Sequence, residues 1–411
     1  MRNRSVSRRL AITAPALAGA LILAGCGSPA EEGGAEGGNE KTVKIGMIAP
    51  ISGDLAALGQ GMKNSADLAV KQANEDGAIE GWNIEFDPQD DTANAQVGAQ
   101  AAAKLASDSE VAGVIGTLNS SVALQVQPIL ARANIVQISP ANTLPDLTQG
   151  QKYLTKKERQ FPNYFRVSTT DAIQGPFGAD YVFNELGQKT AVTVNDQLAY
   201  GVGLTAAFER EFTRLGGKIV ARERVTQGDK DFRAVVTKLK AANPGVIYYG
   251  GQYPEGSLLS KQAKEAGLDV PLVGGDGLFD PTYIATAGPG SEGDVATTVG
   301  APTEELESAQ DFVDAYEEEG YDDDFSAYGA YTYDATNVLI QAMKRVLEGE
   351  DELTPELRKQ IIQEVQKTDM EGATGEIGFD EFGDNTNRVL TVYAVKKGEF
   401  QPEKTASFEA S

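Results

Sequence analysis

Two hydroxyl-bearing loops follow short apolar runs in the first half of the sequence. Residues 117–121 come after "VIG", and residues 139–143 come after "VQI". Ser120 and Ser121 stand where the apolar run gives way to a helical pattern, and the N–H groups at a helix start attract anions. Because neither loop contains lysine or arginine, the pattern favours a carboxylate over the more highly charged phosphate.

A second set of loops carries tyrosines and one acid. Tyr200 and Tyr253 follow the runs "VTVND" and "VIYYGG", and Asp276 follows "PLVGG". An aromatic face and a carboxylate both suit a small cation such as an ammonium group. The two sets of loops together predict a zwitterion, an α-amino acid, held between two lobes.

Each of these residues also has an ordinary structural role that the sequence leaves open. Ser120 could cap its helix, a use worth about 1 kcal/mol, and Ser139 could belong only to a turn. The tyrosines could be core residues, and Asp276 followed by Gly277 is a common turn pair. Binding is favoured because all of these residues fall at equivalent strand ends, where doubly wound sheets bind ligands.

The absence of histidine from the chain excludes several kinds of site. A Ser-His-Asp triad and the usual zinc sites cannot be built, and the aspartates at 322–324 indicate a solvated loop rather than a calcium site. Gly59 and Gly61 begin a dinucleotide pattern that Asn64 breaks, and no phosphate-binding G-x4-G-K-[ST] occurs. We therefore expect no metal, no cofactor and no enzymatic activity, and ligand binding that is flat from about pH 6 to 8.

The elements that position these loops alternate regularly between strands and helices. Residues 43–165 give a β-α-β-α-β-α-β series, and a similar series restarts over residues 166–296. This alternation predicts an α/β protein with two doubly wound parallel sheets. The segment after residue 296 has too few strand signals for a sheet of its own, so we expect it to return and complete both lobes.

The N-terminal residues predict export and a membrane anchor. Four arginines within residues 2–9 precede an apolar run at 10–23, which is too short to span a bilayer of about 30 Å. The sequence "LAGC" at 23–26 resembles the lipobox of bacterial lipoproteins, in which the cysteine, here Cys26, is acylated. Ordinary secretory cleavage is the alternative. A Gly-rich linker follows through residue 42, and the net charge of −24 disfavours nucleic acid as a partner.

Several longer segments carry a resemblance to a known family. "IGMIAPISGDLAALGQGMKNSADLAV", "VIGTLNSS", "ISPANTLPDLT", "FRVSTTDAIQGP" and "GGDGLFDPTYI" resemble the branched-chain amino-acid binding proteins of ABC importers. The resemblance covers nearly all of residues 43–396 and implies the type I periplasmic-binding fold, with two lobes joined by three crossing strands. The implied division is a signal peptide at 1–25, the acylated cysteine and linker at 26–42, lobe 1 at 43–165 plus about 297–375, lobe 2 at 166–296 plus about 376–400, and a tail at 401–411.

The resemblance also implies roles for residues of the first lobe. Ser120 and Thr143 would bind the ligand carboxylate through their hydroxyls. Backbone groups of Asn119, Ala141 and Thr143 would assist, in a loop that also contains Asn142. The small disulfide that the family has near Asn119 cannot form, because the chain has one cysteine.

The other implied roles concern the ammonium group, the side chain and delivery. Tyr200 and Tyr253 would close over the ligand, and Asp276 would take the ammonium, where many relatives have glutamate. Leu58 lies where some relatives place an aromatic ring against the ligand side chain. The resemblance implies a monomeric, lipid-anchored receptor on the extracytoplasmic face that hands an aliphatic amino acid to an ABC permease. An amide, urea or aromatic acid as ligand, and a sensing role, remain alternatives.

Overall fold

The first sheet is parallel and has five strands in a computed structural model that describes residues 41–409. Its strands are β1 (Lys41–Ala49), β2 (Trp82–Asp90), β3 (Val111–Gly116), β4 (Val136–Ser139) and β5 (Tyr164–Arg166), and its helices are α1 (Ala56–Glu75), α2 (Ala95–Ser107), α3 (Ser120–Arg132) and α4 (Asp146–Gln149). The strand order is β2-β1-β3-β4-β5. All six residues of β3 are buried, as expected for a parallel strand covered on both faces.

The second sheet begins as another parallel α/β series. Its strands are β6 (Thr190–Asn195), β7 (Lys218–Arg224), β8 (Val246–Gly250), β9 (Leu272–Gly274) and β10 (Val295–Val299), and its helices are α5 (Asp171–Asp180), α6 (Ala199–Arg214), α7 (Arg233–Ala242), α8 (Tyr253–Glu265) and α9 (Pro281–Ala287). A π-helical turn at Tyr181–Glu185 extends α5. Helix α8 begins four residues earlier than the pattern "SLLSKQAKEAG" predicts, so Tyr253 is its first residue.

The C-terminal segment divides between the two lobes. It contains α10 (Gln310–Glu319), α11 (Gly329–Leu347), α12 (Pro355–Gln366), a hairpin of β11 (Asp369–Gly372) and β12 (Gly375–Gly378), and then β13 (Val389–Lys396) and β14 (Glu399–Ser407). Helix α11 packs on α1 and β3 in the first lobe. Strands β13 and β14 join the second sheet as antiparallel strands, in the order β14-β13-β10-β9-β8-β6-β7.

These observations confirm the predicted α/β class with two parallel-sheet lobes and correct one boundary. The predicted tail at 401–411 is wrong for residues 401–407, which belong to β14. The sequence pattern missed β14 because this edge strand has no buried residue and is therefore largely polar. Among the described residues, no helix has the length and apolar character needed to cross a membrane. The predicted signal peptide, Cys26 and most of the linker lie outside the described residues.

Two buried aspartates stand at the carboxyl ends of strands, and neither forms a salt bridge with another described residue. Asp91 follows β2, is 0% exposed, and accepts one hydrogen bond, from the Ala93 N–H at 2.8 Å. Burial raises its pKa to about 7, and burial has the same effect on the pKa of Asp196, which follows β6. Buried acids therefore titrate in the pH range that a chain without histidine would otherwise leave empty.

Asp91 should make the fold less stable as the pH rises. Its folded-state pKa of about 7 lies above the ordinary 3.8, so the folded state binds the proton more tightly than the unfolded chain does. The free energy of unfolding should then fall between about pH 4 and pH 7, by up to about 4 kcal/mol from this residue. Asp91→Asn should flatten this dependence in urea unfolding at pH 4 and pH 8. Exposed Asp322→Asn is the control, and equal slopes for both variants would contradict the assignment.

Candidate ligand-binding site

Ser139, the last residue of β4, holds the two hydroxyl-bearing loops of the first lobe together. Its hydroxyl donates to the Thr117 carbonyl at 3.0 Å and accepts from the N–H groups of Ala141 and Asn142 at 3.2 and 2.8 Å. The Asn142 side-chain amide donates to the Leu118 carbonyl at 2.8 Å. Ser139 therefore does more than form a turn, because it fixes the loop after β4 against the loop after β3.

Polar groups at and near the start of α3 have no hydrogen-bond partner in the described part of the chain. Ser120 is the first residue of α3 and is buried, and in the described structure no side chain caps this helix. The alternative that Ser120 caps its own helix is therefore wrong. Thr143 Oγ1 and Asn119 Oδ1 are buried without a hydrogen-bond partner among residues 41–409. A neutral hydroxyl beside an uncapped helix start suits an anionic group.

Asp276 is anchored by two tyrosine hydroxyls from different parts of the chain. Tyr200 Oη donates to Asp276 Oδ1 at 2.8 Å, and Tyr328 Oη donates to Asp276 Oδ2 at 2.7 Å. Burial raises the pKa of Asp276, and both tyrosine hydroxyls lower it. Tyr200 reaches this position because α6 starts close to the end of β8, where a Cβ on Gly201 would lie 2.3 Å from the Gly250 carbonyl oxygen.

Asp171 is a second buried acid that the sequence analysis missed. It is the first residue of α5, and its N–H donates to the Thr143 carbonyl at 2.8 Å. The side chain is 0% exposed, and neither carboxylate oxygen has a hydrogen-bond partner among the described residues. Burial raises its pKa well above the ordinary range and the neighbouring Asp276 raises it further, while the Thr143 hydroxyl and the Arg166 guanidinium lower it. In the sequence, an acid in a first helical turn is too common to indicate a site.

Direct contacts join the two lobes around this region. Tyr253 Oη donates to the Asp54 carbonyl at 2.7 Å, and the Lys230 ammonium lies 3.7 Å from the Asp54 carboxylate. On the other side, the Ala199 N–H donates to Ser121 Oγ at 3.0 Å. These contacts close the cleft, and Ser121 rather than Ser120 makes the contact between the lobes.

The remaining predicted contact residues are apolar and buried. Leu58 is 1% exposed and lies in one core cluster with Ala141, Tyr253 and Tyr328. This cluster supplies the apolar wall at the junction of the lobes. Leu58 is therefore a buried residue of the core that spans both lobes, and its contact with a ligand side chain remains a prediction.

The cleft joins two chemically different ends. The first-lobe end offers Thr143 and the start of α3, and the other end offers Asp171 and Asp276. Asp171 and Thr143 are in direct backbone contact, so groups for an anion and for a cation lie side by side. Among the described residues, no three metal-ligating side chains cluster closely enough to hold a metal ion. The binding of a ligand by these groups stays a prediction.

Comparisons with known proteins give consistent matches along the chain. A family described as periplasmic binding protein matches residues 42–399. The Leu/Ile/Val-binding protein BraC3 of Rhizobium johnstonii is 30% identical over 87% of this chain and 92% of its own. A solved leucine binding protein, LivK, from Thermotoga maritima is 31% identical with a TM-score of 0.78, covering 88% of this chain and 98% of that one. The Streptococcus pneumoniae protein LivJ, solved with isoleucine, is 28% identical with a TM-score of 0.76, covering 89% and 99%.

The hydrogen bond from Tyr253 to Asp54 should hold the two lobes together. Tyr253→Phe removes it, and because one hydrogen bond contributes about 0.5–1.5 kcal/mol net, the closed population should fall roughly 2- to 10-fold relative to the open one. Fluorescence energy transfer between dyes on the two lobes measures this ratio. The control is Tyr283→Phe, which loses a bond to Asp294 inside the second lobe. An unchanged ratio in Tyr253→Phe would rule out a closing role for this contact.

Proposed function

The chain belongs to the periplasmic binding protein family, and from that premise we propose that it is an extracytoplasmic receptor for a branched-chain aliphatic amino acid. It captures the ligand between its two lobes and delivers it to the permease of an ABC importer. Its similarity to the Leu/Ile/Val-binding protein BraC3 and to LivJ supports this ligand class. In this proposal the protein acts as a monomer and has no catalytic role.

The observation that carries the proposal is the direct contact between Asp171 and Thr143. In an α-amino acid the ammonium and the carboxylate are bonded to the same carbon, so a receptor needs acceptors and donors side by side. Here the buried Asp171 carboxyl group lies beside the Thr143 hydroxyl, which lowers its pKa, and the Asp171 N–H donates to the Thr143 carbonyl. A desamino acid would leave Asp171 and Asp276 without a cation, so the geometry favours an amino acid over an aromatic acid or an amide.

We assign the groups of the ligand to residues as follows. The carboxylate is bound by the hydroxyls of Ser120 and Thr143 and by backbone groups of Asn119 and Ala141, with Asn142 supporting the loop. Hydrogen bonds to charged groups contribute about 1.5–3 kcal/mol each. A micromolar complex needs about −8 kcal/mol, so several such bonds supply much of the affinity.

The ammonium group of the ligand is assigned to residues of the second lobe, and its side chain is assigned to the apolar cluster that contains Leu58. Asp276 and Asp171 receive the ammonium, and Tyr200 and Tyr253 close over the ligand. Leu58 contacts the aliphatic side chain, whose burial adds about 1.5–3 kcal/mol. Because one methylene changes discrimination only modestly, we expect leucine, isoleucine and valine all to bind.

Calorimetry on protein that has been unfolded and refolded to remove bound ligand tests the function. We expect leucine, isoleucine and valine to bind with micromolar or tighter dissociation constants. Asp276→Asn should weaken leucine binding roughly 10- to 100-fold, because a hydrogen bond between charged groups is lost. The same variant should affect the desamino analogue 4-methylpentanoate much less.

Two results would contradict this function. If none of the twenty amino acids binds the wild-type protein, the proposal that it is an amino-acid receptor is wrong. Equal losses for leucine and 4-methylpentanoate would remove Asp276 from the ammonium role. Asp322→Asn, at an exposed position, is the matched control and should leave both affinities unchanged.

The proposed location rests on the lipobox-like sequence at 23–26, which lies outside the described residues. Acylated Cys26 would hold the receptor at the membrane, since two or more acyl chains anchor stably. We expect Cys26→Ser to move the protein from the membrane fraction to the soluble fraction with its leucine affinity unchanged. Ser28→Ala is the control, and a Cys26→Ser protein that still sediments with membranes would contradict acylation.

A further inference from the structure

Arg166, the last residue of β5, is fully buried and holds the loop that contains Thr143. Its Nη1 donates to the Asn142 carbonyl at 2.7 Å, and its Nη2 donates to the Leu144 carbonyl at 2.9 Å and to Thr148 Oγ1 at 2.6 Å. The two carbonyls belong to the residues on either side of Thr143. One guanidinium therefore fixes the backbone from both sides of this hydroxyl.

The same guanidinium also binds a segment that crosses between the lobes. Arg166 Nε lies 2.7 Å from Asp384 Oδ1, and Gln149 Nε2 donates to Asp384 Oδ2 at 2.6 Å. The backbone N–H of Arg166 donates to the Gly383 carbonyl at 3.0 Å. Arg166 and Asp384 both precede crossings between the sheets, at residues 167–170 and 385–388. The ion pair therefore joins two of the connections that must bend when the lobes open.

Arginine is suited to this position for a geometric reason. A planar guanidinium has five N–H donors in a fixed fork, whereas a lysine ammonium is a compact point charge on a flexible stem. A lysine could keep the pair with Asp384 but could not also bind the Asn142 and Leu144 carbonyls in fixed directions. A buried charge needs hydrogen-bond and ion-pair partners of this kind to offset its lost hydration.

We propose that Arg166 is a positioning residue that holds the loop of Thr143 in its ligand-binding conformation. It fixes the backbone on both sides of the Thr143 hydroxyl and ties this loop to the crossing segment at Asp384. The inference rests on the proposed function for its ligand, but the ordering of the loop by Arg166 is measurable without any ligand.

The experiment compares Arg166→Lys with Arg159→Lys. Arg159 donates to the carbonyls of Pro162, Tyr164 and Glu381 at 3.0–3.2 Å, so it binds the same part of the fold without touching the loop of Thr143. Urea midpoints establish that both variants are folded. Hydrogen exchange of residues 141–148 without ligand then measures the order of the loop, and calorimetry measures the leucine affinity.

In Arg166→Lys the backbone amides of residues 141–148 should exchange faster than in the wild type. The leucine affinity should fall roughly 10-fold or more, since hydrogen bonds from a charged donor are removed. Arg159→Lys should keep wild-type exchange in this loop and an affinity within about 2-fold, whatever its urea midpoint. Unchanged exchange in Arg166→Lys, or affinity losses in both variants that follow only their urea midpoints, would overturn the proposal.

Two provisions keep the result decisive. If Arg166→Lys does not fold, Asp384→Asn replaces it, because it keeps the guanidinium but removes the ion pair that orients it, and it is judged by the same exchange and affinity criteria. If the wild-type protein binds no leucine, isoleucine or valine, the proposed function fails. The exchange of residues 141–148 in the two arginine variants then decides the inference alone.

Discussion

Two buried carboxylates that form no salt bridge within residues 41–409 constrain the region where the lobes meet. Asp171 and Asp276 are almost completely excluded from solvent, and burying a charge without a partner is costly. Asp276 is partly compensated by hydrogen bonds from Tyr200 and Tyr328. For Asp171, the Thr143 hydroxyl and the Arg166 guanidinium lower the pKa but leave it well above the ordinary range. A ligand ammonium would remove this deficit, which is why the electrostatics of the closed cleft point to an amino group.

The other end of the cleft is formed by the loops after β3 and β4, which carry no charged side chain. Ser139 ties the loops after β3 and β4 together through the Thr117 carbonyl and the N–H groups of Ala141 and Asn142. Because the Ser139 hydroxyl makes these contacts, the start of α3 and the Thr143 hydroxyl stay available to the ligand. The donors proposed for the ligand carboxylate carry no formal charge, and the buried Arg166 guanidinium, which donates to the Asn142 and Leu144 carbonyls, lowers the pKa of Asp171. The separation of charge across the cleft therefore depends on the polar network behind it.

The parallel sheets make this meeting of loops possible. Strands β3 and β4 in the first sheet, and β6, β8 and β9 in the second, release their loops at their carboxyl ends, where doubly wound folds bind ligands. The C-terminal segment then secures both lobes, with α11 on the first and β13 on the second. It also brings Tyr328 and Asp384 to the cleft and its hinge. Closing and binding thus involve the same short set of loops.

Local sequence patterns predict the α/β class, the loops at the strand ends and the lack of lysine and arginine in the loops after β3 and β4. These features follow from local patterns, in which a strand, its loop and the next helix are contiguous in the chain. Tertiary structure alone decided that Asp171 is buried and that Tyr328 reaches Asp276 across 52 residues. It also decided that Arg166 binds the loop of Thr143. The pKa of a carboxyl group and the partner of a guanidinium depend on which distant residues exclude water from them, and no local spacing contains that information.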